Sequence, residues 1–94
     1  MLIVSLTYTV PLDVVEAHLE AHRAWLRDAV DRGLVVAAGR KNPRTGGILL
    51  SLADRDALEA AIAEDPFSVH GVAEFEVIEA DMTAAAAGFE ALLA

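Results

Sequence analysis

Two segments in which apolar and polar residues alternate, one near each end of the chain, constrain the fold most strongly. The first, residues 2–10, reads LIVSLTYTV and is rich in β-branched side chains. The second, residues 73–79, places Phe75 and Val77 between glutamates. Because successive side chains of a strand point to opposite faces of a sheet, each segment predicts a strand with one buried face. We therefore expect a sheet that contains both of these strands.

The segment after the first strand has the periodicity of a helix. Pro11 ends the strand, Asp13 is a candidate N-cap, and Gly33 is a suitable stop for a helix that reaches about Arg32. On a helical wheel, one side is charged and the other carries an apolar stripe of Val15, Leu19, Leu26, Ala29 and Val30. This stripe is the side that we expect to pack on the sheet.

Two more strands and a second helix are predicted between these elements and the last strand. Residues 34–39, LVVAAG, predict a strand, and the turn-forming residues 42–47 join it as a hairpin to a strand at 48–52. Asp54 is a candidate N-cap for a helix from residue 55 to about residue 64.

The resulting order, β-α-β-β-α-β, is that of the ferredoxin-like fold. In this α+β fold both helices cover one face of a four-stranded antiparallel sheet. The other face of the first strand would carry Ile3, Ser5, Thr7 and Thr9, and such a half-apolar face is commonly covered by another subunit. We therefore expect a homodimer formed through this sheet face. Residues 1–80 would form the domain, and residues 81–94 a tail that is helical from Met82.

Composition and charge exclude several classes of protein. The 94 residues suffice for one domain with a modest core. The net charge of −8 argues against a nucleic-acid partner, because the seven basic residues form no stripe. The first ten residues are too short for a membrane span and lack the basic start of a signal peptide. No cysteine is present, which is compatible with a cytoplasmic protein and excludes thiolate chemistry.

Two polar residues lie on the apolar sides of the predicted helices. His22 falls in the middle of the first stripe, and Asp65 shares a helix side with the apolar residues that precede it. Both would point between helices and sheet, where a buried carboxylate needs a hydrogen-bond donor. Such a pair leaves the second imidazole nitrogen as a general base near neutral pH. The alternative is that Asp65 caps the turn beginning at Pro66 and that His22 is an ordinary core residue.

Four further residues are candidates for a substrate pocket around this pair: His18, Trp25, Ser68 and His70. Boundary packing is the alternative for Trp25, and solvation in a loop is the alternative for Ser68 and His70. His18 and His22 have a spacing that a metal could use, but no His-Glu-x-x-His or cysteine pattern accompanies them. We therefore expect no metal.

The basic residues Arg40, Lys41 and Arg44 cluster beside the glycine pair Gly46-Gly47. Neither a GxGxxG motif nor a P-loop surrounds these glycines, so we expect no nucleotide and no other cofactor. The cluster could guide an anionic ligand, although a solvated hairpin tip is the favoured interpretation.

The order of several short motifs resembles the YCII family, also described as YciI-like proteins. The motifs are His22-Arg23-Ala24-Trp25-Leu26, Gly33-Leu34-Val35, Ala38-Gly39, Asp65-Pro66-Phe67 and Gly71-Val72. The resemblance covers Leu2 to about Glu79 and implies a dimeric α/β-barrel with a His–Asp site at His22 and Asp65. It also implies similarity to lyase-type or dehalogenating enzymes acting on hydroxylated aromatic rings. Many members have an arginine about one turn before the histidine, where this chain has His18 and Leu19.

Taken together, the sequence predicts a small-molecule enzyme in which His22, oriented by Asp65, abstracts a proton. The reaction would be of the lyase, dehalogenase or isomerase type on a small organic, possibly aromatic, substrate. The alternative is a non-catalytic small-ligand-binding or interaction module of the same fold, which would bind without turnover.

Overall fold

The sheet predicted from the alternating segments is present in the computed structural model, which describes residues 1–93. Four antiparallel strands lie in the spatial order β2-β3-β1-β4. The elements are β1 Leu2–Tyr8, α1 Leu12–Ala17, α2 Leu19–Asp31, β2 Ala37–Arg40, β3 Gly46–Ser51, α3 Arg55–Glu64, α4 Pro66–Val69 and β4 Ala73–Glu79. This arrangement confirms the ferredoxin-like α+β fold.

The core lies between the helices and the face of the sheet that carries the even-numbered residues of β1. Val4, opposite Leu49 of β3 and Val77 of β4, has no solvent exposure. The helices contribute Val15, Ala29, Leu58 and Phe67 to the same cluster of buried side chains. Full burial of a large aliphatic or aromatic side chain contributes about 1.5–3 kcal/mol, so this layer is the main source of stability.

Helix α3 follows the sequence prediction from end to end. The side chain of Asp54 accepts hydrogen bonds from the N–H groups of Asp56 at 3.1 Å and Ala57 at 3.3 Å, which satisfies two donors of the first turn. The buried residues Leu58, Ala61 and Ile62 form its inner side. The cap and the inner side together direct the end of the helix, and with it Asp65, toward the core.

The first predicted helix differs from the structure in three ways. It begins directly behind Pro11, which is the N-cap residue with φ −59° and ψ 153°, so the predicted N-cap role of Asp13 is wrong. It is interrupted at His18, where φ is −110° and ψ is 3°, and continues as α2. Val30 is 46% exposed and does not belong to the inner stripe. Gly33, with φ of 75°, follows the helix end as expected.

Strand limits also shift for identifiable reasons. Strand β2 starts at Ala37 because the N–H groups of Leu34 and Val35 bond to Ala29 O and close the end of α2. Strand β3 starts already at Gly46, which the sequence assigned to the turn. Strand β1 ends at Tyr8, and the Thr9 N–H turns to Val72 O.

The C-terminal segment is not the helix predicted from Met82. Within residues 1–93 its regular structure is a 3₁₀ turn, Glu90–Leu93, and residue 94 of the prediction lies outside the described residues. The alanines at 84–87 are exposed, so no buried side offsets the entropic cost of a helix. None of the helices described for residues 1–93 is long and apolar enough to cross a membrane.

Candidate active site

Helix α2 and the junction of α3 and α4 bring together two polar side chains that are 43 residues apart in the sequence. His22 Nδ1 lies 2.8 Å from Asp65 Oδ1 and 3.0 Å from Asp65 Oδ2. The side chain of Asp65 is fully buried, and that of His22 is 12% exposed. The two residues therefore form a hydrogen-bonded pair with an inaccessible carboxylate and a partly accessible imidazole.

Asp65 also caps helix α4. Its Oδ1 accepts the N–H of Phe67 at 3.0 Å, and Pro66 occupies the first helical position. The two roles that the sequence presented as alternatives thus occur in one carboxylate. Because an ionised carboxylate only accepts hydrogen bonds, its contact with His22 places the ring hydrogen on Nδ1. A neutral His22 ring then has its lone pair on Nε2.

Aromatic contacts fix the plane of the His22 ring. Phe67 stacks on it with a centroid separation of 4.0 Å and an interplanar angle of 3°, and Trp25 lies on α2 at 5.9 Å and 23°. Trp25 is itself held by a hydrogen bond of 2.9 Å from Nε1 to Ala61 O. The ring of His22 is therefore fixed by packing as well as by the bond to Asp65.

A cavity of about 210 Å³ lies beside His22, between α2 and the part of the sheet formed by β1, β2 and β3. Within residues 1–93, Nε2 of His22 makes no hydrogen bond, in contrast to Nδ1. The lining residues are Leu6, Tyr8, Leu19, His22, Arg23, Leu26, Ala38, Gly39, Arg40, Arg44, Gly46, Gly47, Ile48, Leu49 and Phe67. The lining residues are therefore mostly apolar, and the polar ones are His22, Tyr8 and three arginines.

Arg44 occupies a different position from the solvated hairpin tip favoured by the sequence. Its side chain contributes to the cavity wall, and Nη1 donates to Glu16 Oε1 at 3.0 Å. This hydrogen bond is the main cause that raises the pKa of Arg44 above its ordinary value, and interaction with the Tyr8 hydroxyl adds to the effect. Tyr8 and Phe67 also line the cavity, and neither was predicted from the sequence as a site residue. The alternation along β1 could have indicated Tyr8, because it points to the same face as Leu2, Val4 and Leu6.

The four residues proposed for the pocket lie outside the cavity wall. His18 and His70 stack on each other with centroids 4.1 Å apart, which links the junction of α1 and α2 to the end of α4. Trp25 packs between helices α2 and α3, and Ser68 is half-buried on α4. Within the part of the chain that the structure describes, no three His, Cys, Asp or Glu side chains come close enough to hold a metal ion.

Comparison with protein-family models shows that residues 1–81 match the YCII-related domain. The chain belongs to the YCII family. No curated protein matches this YCII chain. Among solved structures it is similar to 5-chloro-2-hydroxyhydroquinone dehydrochlorinase (TftG) from Burkholderia phenoliruptrix AC1100, in complex with 2,5-dihydroxybenzoquinone. The TM-score is 0.67 at 22% identity, and the match covers 84% of this chain and 92% of the dehydrochlorinase chain. At this identity the similarity supports the fold of the YCII chain.

Proposed function

We propose that this YCII protein is a small-molecule enzyme in which His22 Nε2 is the general base and Asp65 orients it. The hydrogen bond of 2.8 Å from Nδ1 to a fully buried carboxylate, on a ring that lines a cavity, carries this proposal. A carboxylate in this position favours the productive tautomer and stabilises the imidazolium that forms when Nε2 takes a proton.

The chemistry that suits this arrangement is proton abstraction followed by elimination or isomerisation. Nε2 removes a proton from an atom next to an electron-withdrawing group of the substrate. The released electron pair either expels a leaving group as an anion or moves a double bond. In an isomerisation the imidazolium returns the proton to another atom of the substrate. A positioned base of this kind contributes about 10²–10⁴-fold to the rate.

Cavity size and wall chemistry support a substrate with a single ring. An apolar cavity of about 150 Å³ is sufficient for benzene, so about 210 Å³ accommodates one substituted ring. Apolar side chains such as Leu6, Leu26 and Phe67 provide the contact surface for a ring. The dehydrochlorinase of similar fold acts, by its name, on a chlorinated hydroxyhydroquinone. A halogenated or hydroxylated ring compound is therefore the first class to test.

The test is a turnover assay on the purified protein with 5-chloro-2-hydroxyhydroquinone and related single-ring compounds, followed by chloride release and ultraviolet absorbance. We expect His22→Gln to lower kcat/KM by about 10²–10⁴-fold, because the base is lost while an amide fills the same space. His70→Gln makes the same chemical change outside the cavity and should stay within about twofold.

Two results would contradict the proposal. Full activity in His22→Gln would show that this residue is not the base. The second result is saturable binding of the compounds without turnover, together with an effect of His22→Gln on the free energy of unfolding alone. This result would favour the ligand-binding module.

We also propose that the protein is a homodimer in which a second copy covers the sheet face opposite the helices. Ile3 on β1 lies between Leu50 of β3 and Ile78 of β4 on this face, and Ser5 lies beside Ile48. Ile3, Leu50 and Ile78 form an apolar row across three strands, and Ile78 is 43% exposed. A face of this composition is suited to a self-complementary contact around a two-fold axis.

A further inference from the structure

The charged residues that line the cavity are basic, and two of them pair with glutamates outside the wall, Arg44 with Glu16 and Arg23 with Glu20. The chain has a net charge of −8, with 15 acidic and seven basic residues. Among residues 1–93, the cavity wall nevertheless contains three of the seven basic residues, Arg23, Arg40 and Arg44, and no Asp or Glu. Low-dielectric walls lined by charges of one sign concentrate ligands of the opposite sign. The charged residues of the wall therefore favour a ligand of negative charge over a cation.

Arg44 is the arginine whose position best fits a role toward a ligand. Its side chain is 30% exposed, and Nη1 is held by Glu16 Oε1 at 3.0 Å. Its Nε is enclosed and has no hydrogen-bond acceptor among residues 1–93. Because Nε is enclosed, a ligand in the cavity meets the exposed part of the Arg44 side chain, which lines the wall beside the Tyr8 hydroxyl.

The surroundings of Arg44 fix its direction. The N–H of Tyr8 donates to Thr45 O at 2.8 Å, which holds the residue after Arg44 against the end of β1. The ring of Tyr8 packs edge-on against Phe67 with centroids 6.0 Å apart, and Phe67 in turn stacks on His22. Arg44, Tyr8 and His22 therefore line one cavity, and Phe67 connects Tyr8 to His22 through two aromatic contacts.

We propose that the cavity binds a ring compound carrying an anionic oxygen group, such as a carboxylate or an ionised ring hydroxyl, and that Arg44 receives this group. The Tyr8 hydroxyl and Arg40 complete the oxygen-binding end, while His22 faces the ring. This inference rests on the proposed function only for the location of the site. During proton abstraction the same guanidinium stabilises the negative charge that develops on the substrate oxygen.

The proposal is tested by binding, without turnover, of two probes of nearly equal shape. Benzoate and benzamide are titrated into ¹⁵N-labelled protein at neutral pH, and the affinities are read from the amide shifts of residues that line the cavity. We expect benzoate to bind at least about tenfold more tightly than benzamide, because a hydrogen bond to a charged group contributes about 1.5–3 kcal/mol. Equal affinity of the two probes would overturn the proposal.

Substitution of Arg44 tests whether this residue causes the preference for benzoate over benzamide. Arg44→Gln should lower the benzoate affinity about tenfold or more and leave the benzamide affinity within about twofold. Arg55→Gln is the matched control, because Arg55 also bonds to glutamates, Glu59 and Glu79, but lies outside the cavity wall. A benzoate-to-benzamide ratio that changes no more in Arg44→Gln than in Arg55→Gln would refute the role of Arg44.

Two further measurements keep the test decisive. If Arg44→Gln does not fold, Arg44→Lys retains the charge but loses the planar fork, and we expect an intermediate loss of benzoate affinity. In His22→Gln, benzoate binding should persist although turnover is lost. Benzoate binding without turnover in the parent protein and in every variant would contradict the proposed function. Turnover with a preference for neutral substrates would contradict only the proposal that Arg44 receives an anionic group.

Discussion

At the scale of single residues, Asp65 accepts hydrogen bonds from two groups that belong to different parts of the fold. One is the N–H of Phe67, which begins α4, and the other is Nδ1 of His22 on α2. The helical periodicity of the sequence found both members of the pair, because each is a polar residue on an apolar side. It could not decide between pairing and capping, since either role places Asp65 at the same point of the chain.

The double role of Asp65 predicts different effects for two substitutions. In Asp65→Asn the amide oxygen can still accept the hydrogen bond from the N–H of Phe67. The NH₂ group of the asparagine then faces Nδ1 of His22. Nδ1 must become an acceptor, so the ring hydrogen moves to Nε2 and the base is lost. Asp65→Ala loses the cap and leaves Nδ1 without a partner, which should lower the free energy of unfolding by about 2–4 kcal/mol.

Ring ¹⁵N chemical shifts of His22 at a pH where the imidazole is neutral, together with urea unfolding, measure both effects. We expect the tautomer to change in Asp65→Asn, and the loss of stability to be clearly smaller than in Asp65→Ala. An unchanged tautomer would mean that the carboxylate does not orient the ring. Equal losses of stability would mean that the asparagine side chain does not accept the N–H of Phe67 and so does not cap α4.

At the scale of elements, the local sequence pattern of the β2–β3 hairpin does not predict where strand β3 begins. Gly46 and Gly47 have the composition of a turn, and the sequence placed them there. Both belong to strand β3 because Gly46 packs against the backbone of β1, a contact 40 residues away that no local signal encodes. The interruption at His18 is similar, since its stacking partner His70 lies on another element. Capping and periodicity, in contrast, placed α3 correctly because both are local.

The close approach of Gly46 to β1 predicts a large effect for one added methyl group. A Cβ at this position would lie 1.8 Å from Leu6 O, so the strands would have to move apart. We expect Gly46→Ala to lower the free energy of unfolding by about 1–3 kcal/mol or more. Gly39→Ala is the control on the same hairpin, because a Cβ there meets no atom within 4 Å, and its effect should be within about 0.5 kcal/mol.

Urea denaturation of the two variants gives the comparison directly. The hairpin also carries Arg44 to the cavity, so the close contact of Gly46 with β1 bears on the position of that side chain. Similar stability of the two variants would show that the strands can separate at no cost, and the contact of Gly46 with β1 would then not hold Arg44 in position.

At the scale of the whole molecule, the sequence predicted the order of the elements but only part of the site. The order follows from periodicities that are each contained within one segment. The cavity, however, is formed where α2, β1 and the hairpin meet, and its lining combines residues that are isolated in the sequence, such as Tyr8 and Arg44. Whether a charged residue in a turn faces solvent or a cavity depends on how the hairpin curves over the sheet, which composition does not encode.

The open face of the sheet supports the last prediction, that of the oligomeric state. Light scattering should give a mass of twice 10.0 kDa for the parent protein. Ile78→Glu should raise the dissociation constant of the dimer by at least about tenfold, because a two-fold contact would place two new charges in an apolar row. Val30→Glu, an equivalent change at a 46% exposed position on α2, should leave the dimer intact. A monomeric parent, or equal effects of the two substitutions, would show that the apolar row of Ile3, Leu50 and Ile78 is not where two copies meet.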